Sequence, residues 1–359
     1  MTDAAGMEIS DVHNGFSDEK LEALSQVHSK FETGMAPWAS HESESSSFGK
    51  TFRAWAHFPN FLPLYICSDH GVHWESKCWP NETQSPYKVY FTWNKKKNDL
   101  MKRVHQKKSC HVPHPWVFYR KKYFKLPQTQ RRGTLVYFPH SNDTTSPVFD
   151  DLDRYINGLK SLPDKYQPVV ICLSYADVEK GEHKKLRKYN IPLVTAGAMR
   201  SQDFVNRFYS LLGNFRFSSS ANIGSHTYYA IEAGVSFLLY GEYPEYLIKG
   251  SIAVPDGRLN LQDYGDNDDI AEFTRMKILF SAENDQVTTE QYAIVSKYLG
   301  LDSGMTRWKA SLILWRELFL HLDELVWVYI RRIVGVILRL ILPAKWYSKI
   351  QACTYIYGK

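Results

Sequence analysis

The stretch Phe217-Ser-Ser-Ser-Ala-Asn-Ile-Gly-Ser-His-Thr-Tyr-Tyr-Ala-Ile-Glu-Ala-Gly-Val-Ser-Phe-Leu-Leu-Tyr-Gly241 decides the fold. It reads as a strand running into a triple serine, a turn at Gly224, a helix opening at Ser225 and a second strand from Ser236. A strand that returns to its own sheet in the same direction needs a crossover helix of this length. Working outward, the same alternation fills the preceding segment. Gly133-Thr-Leu-Val-Tyr-Phe-Pro-His-Ser is a buried-strand pattern, followed by a helix over 147–162, a strand over Pro168–Ser174, a helix over 179–188, a strand over Ile191–Thr195, a helix over 202–212 and a strand over Phe215–Ser218. Strands alternating with helices predict a parallel, doubly wound sheet across residues 131–304.

The remainder divides around that unit. Residues 1–47 form a polar leader or cover whose main helical signal is at Asp18–Lys30. Residues 48–130 alternate short apolar runs, Leu62-Pro-Leu-Tyr-Ile-Cys and Tyr87-Lys-Val-Tyr-Phe-Thr, with polar loops, which predicts a second, smaller α/β lobe. The chain length of 359 residues suits two such bodies. The passage His114-Pro-Trp-Val-Phe-Tyr, in the linker between them, is expected to dock through its aromatic rings.

Ser219, Ser220 and Ser225 add hydroxyls to the positive end of the helix that opens at Ser225, which predicts a phosphate pocket completed by Ser218, Gly224 and His226. The plainer alternative is an N-cap and a polar loop. His140, Ser141 and Thr144, on the loop after the first strand of the unit, are expected at the same sheet edge, where a ligand sits in a doubly wound fold. In the smaller lobe, Leu64-Tyr-Ile-Cys-Ser-Asp-His-Gly-Val-His carries Asp69 and His70 from a strand end toward the crevice. They are candidates for a general base or, for Asp69, a nucleophile, against the alternative of a capped turn.

Gly-Ser-His-x-x-Tyr-Ala-x-Glu-Ala-Gly-Val-Ser-Phe resembles the donor-lobe signature of GT-B glycosyltransferases of bacterial surface-polysaccharide assembly (O-antigen, capsule). The serine run before it is similar to that of enzymes using cytidine-monophosphate sugars, namely sialyltransferases and β-Kdo transferases. The resemblance covers residues 133–245 well and the first lobe loosely. Those sialyltransferases carry a His-Pro pair, whereas this chain has Pro139-His140, with His114-Pro115 only in the linker. The resemblance implies two Rossmann-like lobes (a GT-B-like α/β fold), a nucleotide-sugar donor and a lipid-linked or growing glycan acceptor. It also implies that Glu232 binds the nucleotide ribose, where a solvated or capped carboxylate is the alternative. A non-catalytic glycan-assembly partner, and an epimerase or hydrolase of nucleotide sugars, remain as rival readings.

Charge supports anionic partners. Forty-four Lys and Arg against 38 Asp and Glu give +6, with the excess clustered at 95–108, 120–132 and 331–349. Those clusters lack a recognition-helix or RNA-platform pattern, which argues against nucleic acid. The five cysteines form no CxxC pair and no signal peptide is evident, which predicts a cytoplasmic protein. No Asp-x-Asp triplet ends a strand, the run Asp263–Asp269 reads as a loop, and the histidines lack ligand spacing. Neither a metal nor a cofactor is therefore expected.

The tail, 305–359, reads as helical, and Leu325–Leu342 is apolar but carries three arginines, which disfavours a spanning helix. Trp327, Arg331, Arg332, Arg339, Lys345 and Trp346 suit an amphipathic helix lying on an anionic membrane surface, here the cytoplasmic face of a bacterial inner membrane. Residues 305–324 are expected to stay with the protein body.

Overall fold

A computed structural model describes residues 12–26, 41–124, 126, 131–142, 144–250, 256–260 and 265–341. The protein is mixed α/β, and its described strands form three sheets. The first holds β1 (Cys67–Ser68), β2 (Val89–Thr92) and β3 (Lys108–His111), all parallel, in that order. The second holds β4 (Thr134–Tyr137), β6 (Val169–Leu173), β7 (Leu193–Thr195), β8 (Phe217–Ser220) and β9 (Ser236–Leu239). Its strands are parallel and ordered β7-β6-β4-β8-β9. The third is antiparallel, with β10 (Glu245–Ile248) between β5 (Thr145–Val148) and β11 (Gly257–Leu259).

The order of the five-stranded sheet positions the site. The chain starts in the middle with β4, moves outward through β6 and β7, and returns to the other side through β8 and β9. Helices leaving β4 and β8 must therefore turn to opposite faces, which opens a crevice at the carboxyl ends of those two strands. Val169-Val-Ile-Cys-Leu is wholly buried, as a parallel strand covered on both faces requires.

Several boundaries differ from the sequence expectation. The triple serine lies inside β8 rather than after it, since each hydroxyl finds a carbonyl and can be buried. The helix expected over 147–162 starts at Leu152, where Asp151 accepts a hydrogen bond from the Arg154 amide at 2.8 Å. The preceding Thr-Ser-Pro-Val instead pairs with β10 as an edge strand, which tolerates Pro147. The stretch Asp266–Asp269 is a helix start with Asp266 as cap, not a loop; Asp263 lies outside the described residues.

The polar leader is a cover at residues 12–26. The Phe16 amide donates to the Leu193 carbonyl at 2.7 Å, Ala198 donates to Leu24, and the helix Asp18–Ser25 packs on β7. Nor is residue 47 a boundary: helical turns run from His41 to Ala56, and the Ser47 hydroxyl donates to the carbonyls of Ser201 and Gln202.

One apolar cluster runs from Phe52 and Phe91 through Trp93 and Trp116 to Tyr229, Tyr209 and Leu135. The linker motif makes this join, as expected. Pro115 opens the helix Pro115–Tyr123, and the His114 ring accepts from the Trp116 amide through Nδ1. Nε2 of the neutral ring therefore carries the proton and donates to the Tyr229 hydroxyl at 2.9 Å. The Trp116 ring lies 4.5 Å from that of Tyr229 and 5.3 Å from that of Phe208.

In the tail, the helix Arg307–Leu320 packs Ala310, Leu314 and Leu318 inward against Phe48–Ala56. Its opposite stripe, Trp308, Leu312 and Phe319, is exposed. His321, stacked 4.8 Å from Tyr65, separates it from the helix Leu322–Ile341. That helix exposes Leu322, Val326, Trp327, Ile330, Ile333, Ile337 and Ile341. Arg331, Arg332 and Arg339 lie on it, whereas Lys345 and Trp346 fall outside the described residues. Among the described residues no helix is long and apolar enough to cross a membrane.

Candidate functional site

The crevice at the ends of β4 and β8 is built from Phe138–Ser141 on one side and Ala221–His226 on the other. The helix Ser225–Glu232 begins here with Gly224 as its cap. A Cβ at Gly224 would stand 2.9 Å from Cε1 of His226, so the ring that folds back over the helix start would have to shift. That ring stacks on Tyr137, the last residue of β4, at 4.8 Å and 24°.

His226 is neutral in this setting. Burial of the ring, reinforced by neighbouring His140 and opposed by a hydrogen bond to the Asn222 backbone, pushes its pKa down to about 3. Its Nε2 is buried and has no hydrogen-bond partner among the described residues. With Nδ1 donating to the Asn222 backbone, the neutral ring keeps a lone pair on Nε2, a ready acceptor for a ligand hydroxyl at the helix N-terminus. His140 is exposed at the same edge.

The Asp-His-Gly loop of the first sheet meets this helix start directly. The Val72 amide donates to the Ser225 hydroxyl at 2.8 Å, across 153 residues of chain. Gly71 has φ +76°, and a Cβ there would lie 2.7 Å from Ser225 Oγ, so only glycine permits the approach. The loop end of one sheet and the end of β8 in the other are thus brought together.

Behind the loop lie two ion clusters. Lys97, fully buried, reaches Asp69 at 2.5 Å and Glu82 at 2.8 Å. Asp69 also accepts from the Tyr90 hydroxyl at 2.5 Å and from the Thr92 hydroxyl. Burial raises the Glu82 carboxyl, but Lys97 overcomes this and holds it below the usual carboxylate range. The half-exposed His70 ring sits with Nδ1 3.7 Å from Glu82. In the second cluster His73 Nδ1 lies 3.1 Å from Glu75, and Nε2 contacts the His70 carbonyl at 2.6 Å. Burial alone would lower the His73 pKa, yet Glu75 drives it up to about 9, so it is an imidazolium at neutral pH.

Several expected site residues are occupied elsewhere. Ser218 donates to the Ser236 carbonyl, Ser219 to Leu238, and Ser220 to Tyr137, so these hydroxyls cross-link strands within the sheet and do not face the crevice as free donors. Ser141 donates to Asp177 through both its amide, at 2.9 Å, and its hydroxyl, at 2.5 Å. Glu232 lies at the far end of its helix, where Arg120 clamps both carboxylate oxygens at 2.8 and 2.7 Å, which replaces the expected ribose contact by a structural tie to the linker helix. Asp69, engaged by Lys97, Tyr90 and Thr92, is a buried structural carboxylate here and not an available base. Gly224, Ser225, His226, His140 and His70 remain at the crevice.

Sequence reasoning missed the Lys97 and Glu82 cluster, because its members are separated by 13 to 28 residues with no local signal. It also passed over His73, although the quoted loop contains it. No family model, curated protein or solved structure matches the chain.

Proposed function

We propose that the protein is a GT-B-like glycosyltransferase that moves a sugar from a nucleotide donor to a lipid-linked or growing polysaccharide acceptor at a membrane surface. A cytidine-monophosphate sugar such as CMP-Kdo is the preferred donor on the resemblance described above. The observation that carries the reading is the His226 imidazole, neutral and with a buried, unpartnered Nε2, at the start of the helix that faces the switch point. The donor phosphate would rest on the first-turn amides, and Nε2 of His226, left with its lone pair because Nδ1 donates to the Asn222 backbone, would accept from a donor hydroxyl. With Asp69 engaged by Lys97, the acceptor hydroxyl would be deprotonated by His70, oriented by Glu82. The exposed stripe of Leu322–Ile341, with Arg331, Arg332 and Arg339 in the same helix, supports attachment to an anionic bilayer.

A second reading, a nucleotide-binding partner without turnover, draws on the engagement of Asp69. The test is a thermal-shift series with cytidine, uridine, guanosine and thymidine mono- and diphosphates, since a ligand bound to the native state raises its midpoint. A shift confined to one base, abolished in His226→Ala, supports the pocket. No shift in a folded sample refutes it, and binding without transfer to any glycan acceptor favours the non-catalytic partner.

A further inference from the structure

A cavity of about 430 Å³ opens between the end of β5, the first turns of the helix Leu152–Lys160 and the connection from β9 to β10. Its walls combine aromatic rings, Phe149, Tyr155 and Tyr240, with carboxylates, Asp151, Glu242 and Glu245. Phe149 and Tyr155 stack on one another at 5.3 Å and 22°, which fixes both rings in the wall. Asp151 caps the helix, Glu242 meets Arg154 at 3.3 Å and Glu245 meets Arg258 at 3.2 Å, so the carboxylates are held in place while still able to accept hydrogen bonds.

Two observations mark it as a built site. Tyr155 is only 6% exposed, yet its hydroxyl makes no hydrogen bond among the described residues. A buried hydroxyl without a partner costs stability unless something meets it. Gly241 has φ +99°, and a Cβ there would lie 2.7 Å from the Tyr155 ring and 3.6 Å from Ala221, so the cavity wall is pressed against the loop that leads to Gly224. Asn222 on that loop donates to the Tyr246 hydroxyl of β10 at 3.0 Å. Cavity and crevice therefore share a wall.

We infer that this cavity is a saccharide subsite for a neutral or amino hexopyranose. Aromatic faces suit the C–H face of a pyranose ring, carboxylates accept from its hydroxyls or ammonium, and the same carboxylates repel phosphate- or carboxylate-bearing sugars. The inference deepens the transferase reading by giving the class of acceptor sugar.

The test is saturation-transfer NMR titration of the full chain with N-acetylglucosamine, glucosamine and N-acetylneuraminic acid, in the absence of nucleotide. The first two should bind saturably and the acidic sugar at least about tenfold more weakly, the cost of adding a negative charge to a wall whose four carboxylates outnumber Arg154. Tyr155→Phe should weaken hexosamine binding about three- to tenfold, the loss of one hydrogen bond, without lowering the melting midpoint, because the wild-type hydroxyl is unpartnered. Glu242→Gln, at the exposed rim, should weaken glucosamine more than N-acetylglucosamine. Equal or tighter binding of the acidic sugar, an unchanged affinity in Tyr155→Phe, or no saturable hexosamine binding would each overturn the assignment. Because nucleotide is omitted, these outcomes are independent of whether the crevice binds a donor.

Discussion

Substitution of Gly71 by Ala perturbs the contact that joins the two sheets at the candidate site. Gly71 has φ +76°, and placing an L residue there costs about 1–2 kcal/mol in backbone strain. The new Cβ would also stand 2.7 Å from Ser225 Oγ, which must move and give up the hydrogen bond from the Val72 amide. That bond is worth about 0.5–1.5 kcal/mol, so the total reaches roughly 2–3 kcal/mol. Gly181 is the control, since its φ is +77° but a Cβ there meets nothing within 4 Å. Gly181→Ala should therefore cost only the strain, about 1–2 kcal/mol. Urea titration followed by tryptophan fluorescence measures both, and the difference of about 1 kcal/mol isolates the contact between sheets. If the two variants agree within about 0.3 kcal/mol, the reasoning that Gly71 is needed for this close approach fails. Gly71→Ala should also diminish the nucleotide-induced thermal shift, whereas Gly181→Ala should leave it intact.

Lys97→Met leaves Asp69 and Glu82 buried without their cation and should destabilise by about 3–5 kcal/mol; a loss below about 1 kcal/mol in a urea titration would show that the cluster is not a structural centre. The pH dependence of stability should bear the mark of His73. Its folded pKa of about 9 exceeds the unfolded value of about 6.5, so its contribution is fully present below the latter and disappears as pH rises through the former. Urea midpoints between those limits should fall less steeply in His73→Gln than in the wild type.

The parallel unit was legible because its strands are short apolar runs and its crossovers carry helical periodicity. Val169–Leu173, Leu193–Thr195 and Ser236–Leu239 fall within a residue or two of the expected positions. Thr145–Val148 was not legible, because its strand partner among the described residues, Glu245–Ile248, lies about a hundred residues downstream. Nothing local distinguishes such an edge strand from the first turn of a helix. The leader presents the same difficulty: Phe16 and Leu21 bury themselves against β7, but polar flanks hide two apolar residues in a short window.

The candidate site was legible in place but not in membership, and the reason is physical. Ser218, Ser219, Ser220, Glu232, Ser141 and Asp69 have the right chemistry, and all six are buried. A buried polar group must be satisfied, and here carbonyls of adjacent strands, Arg120, Asp177 and Lys97 satisfy them. Residue type therefore identified groups able to bind a ligand, whereas tertiary contacts decided which of them remain able to. His226 differs from the six because its Nε2 is buried and still unpartnered among the described residues. Its availability depends on Gly224, which lets the ring fold over the helix start, and on Tyr137, which holds it there by stacking. The loop that the Val72 amide fastens to Ser225 brings the other sheet to the same helix start. A nucleotide bound at the helix start would consequently contact a loop whose far side carries His70 and the His73–Glu75 pair. In the proposed transfer, binding at one sheet and proton transfer from the other would be coupled through the Val72–Ser225 hydrogen bond and Gly71.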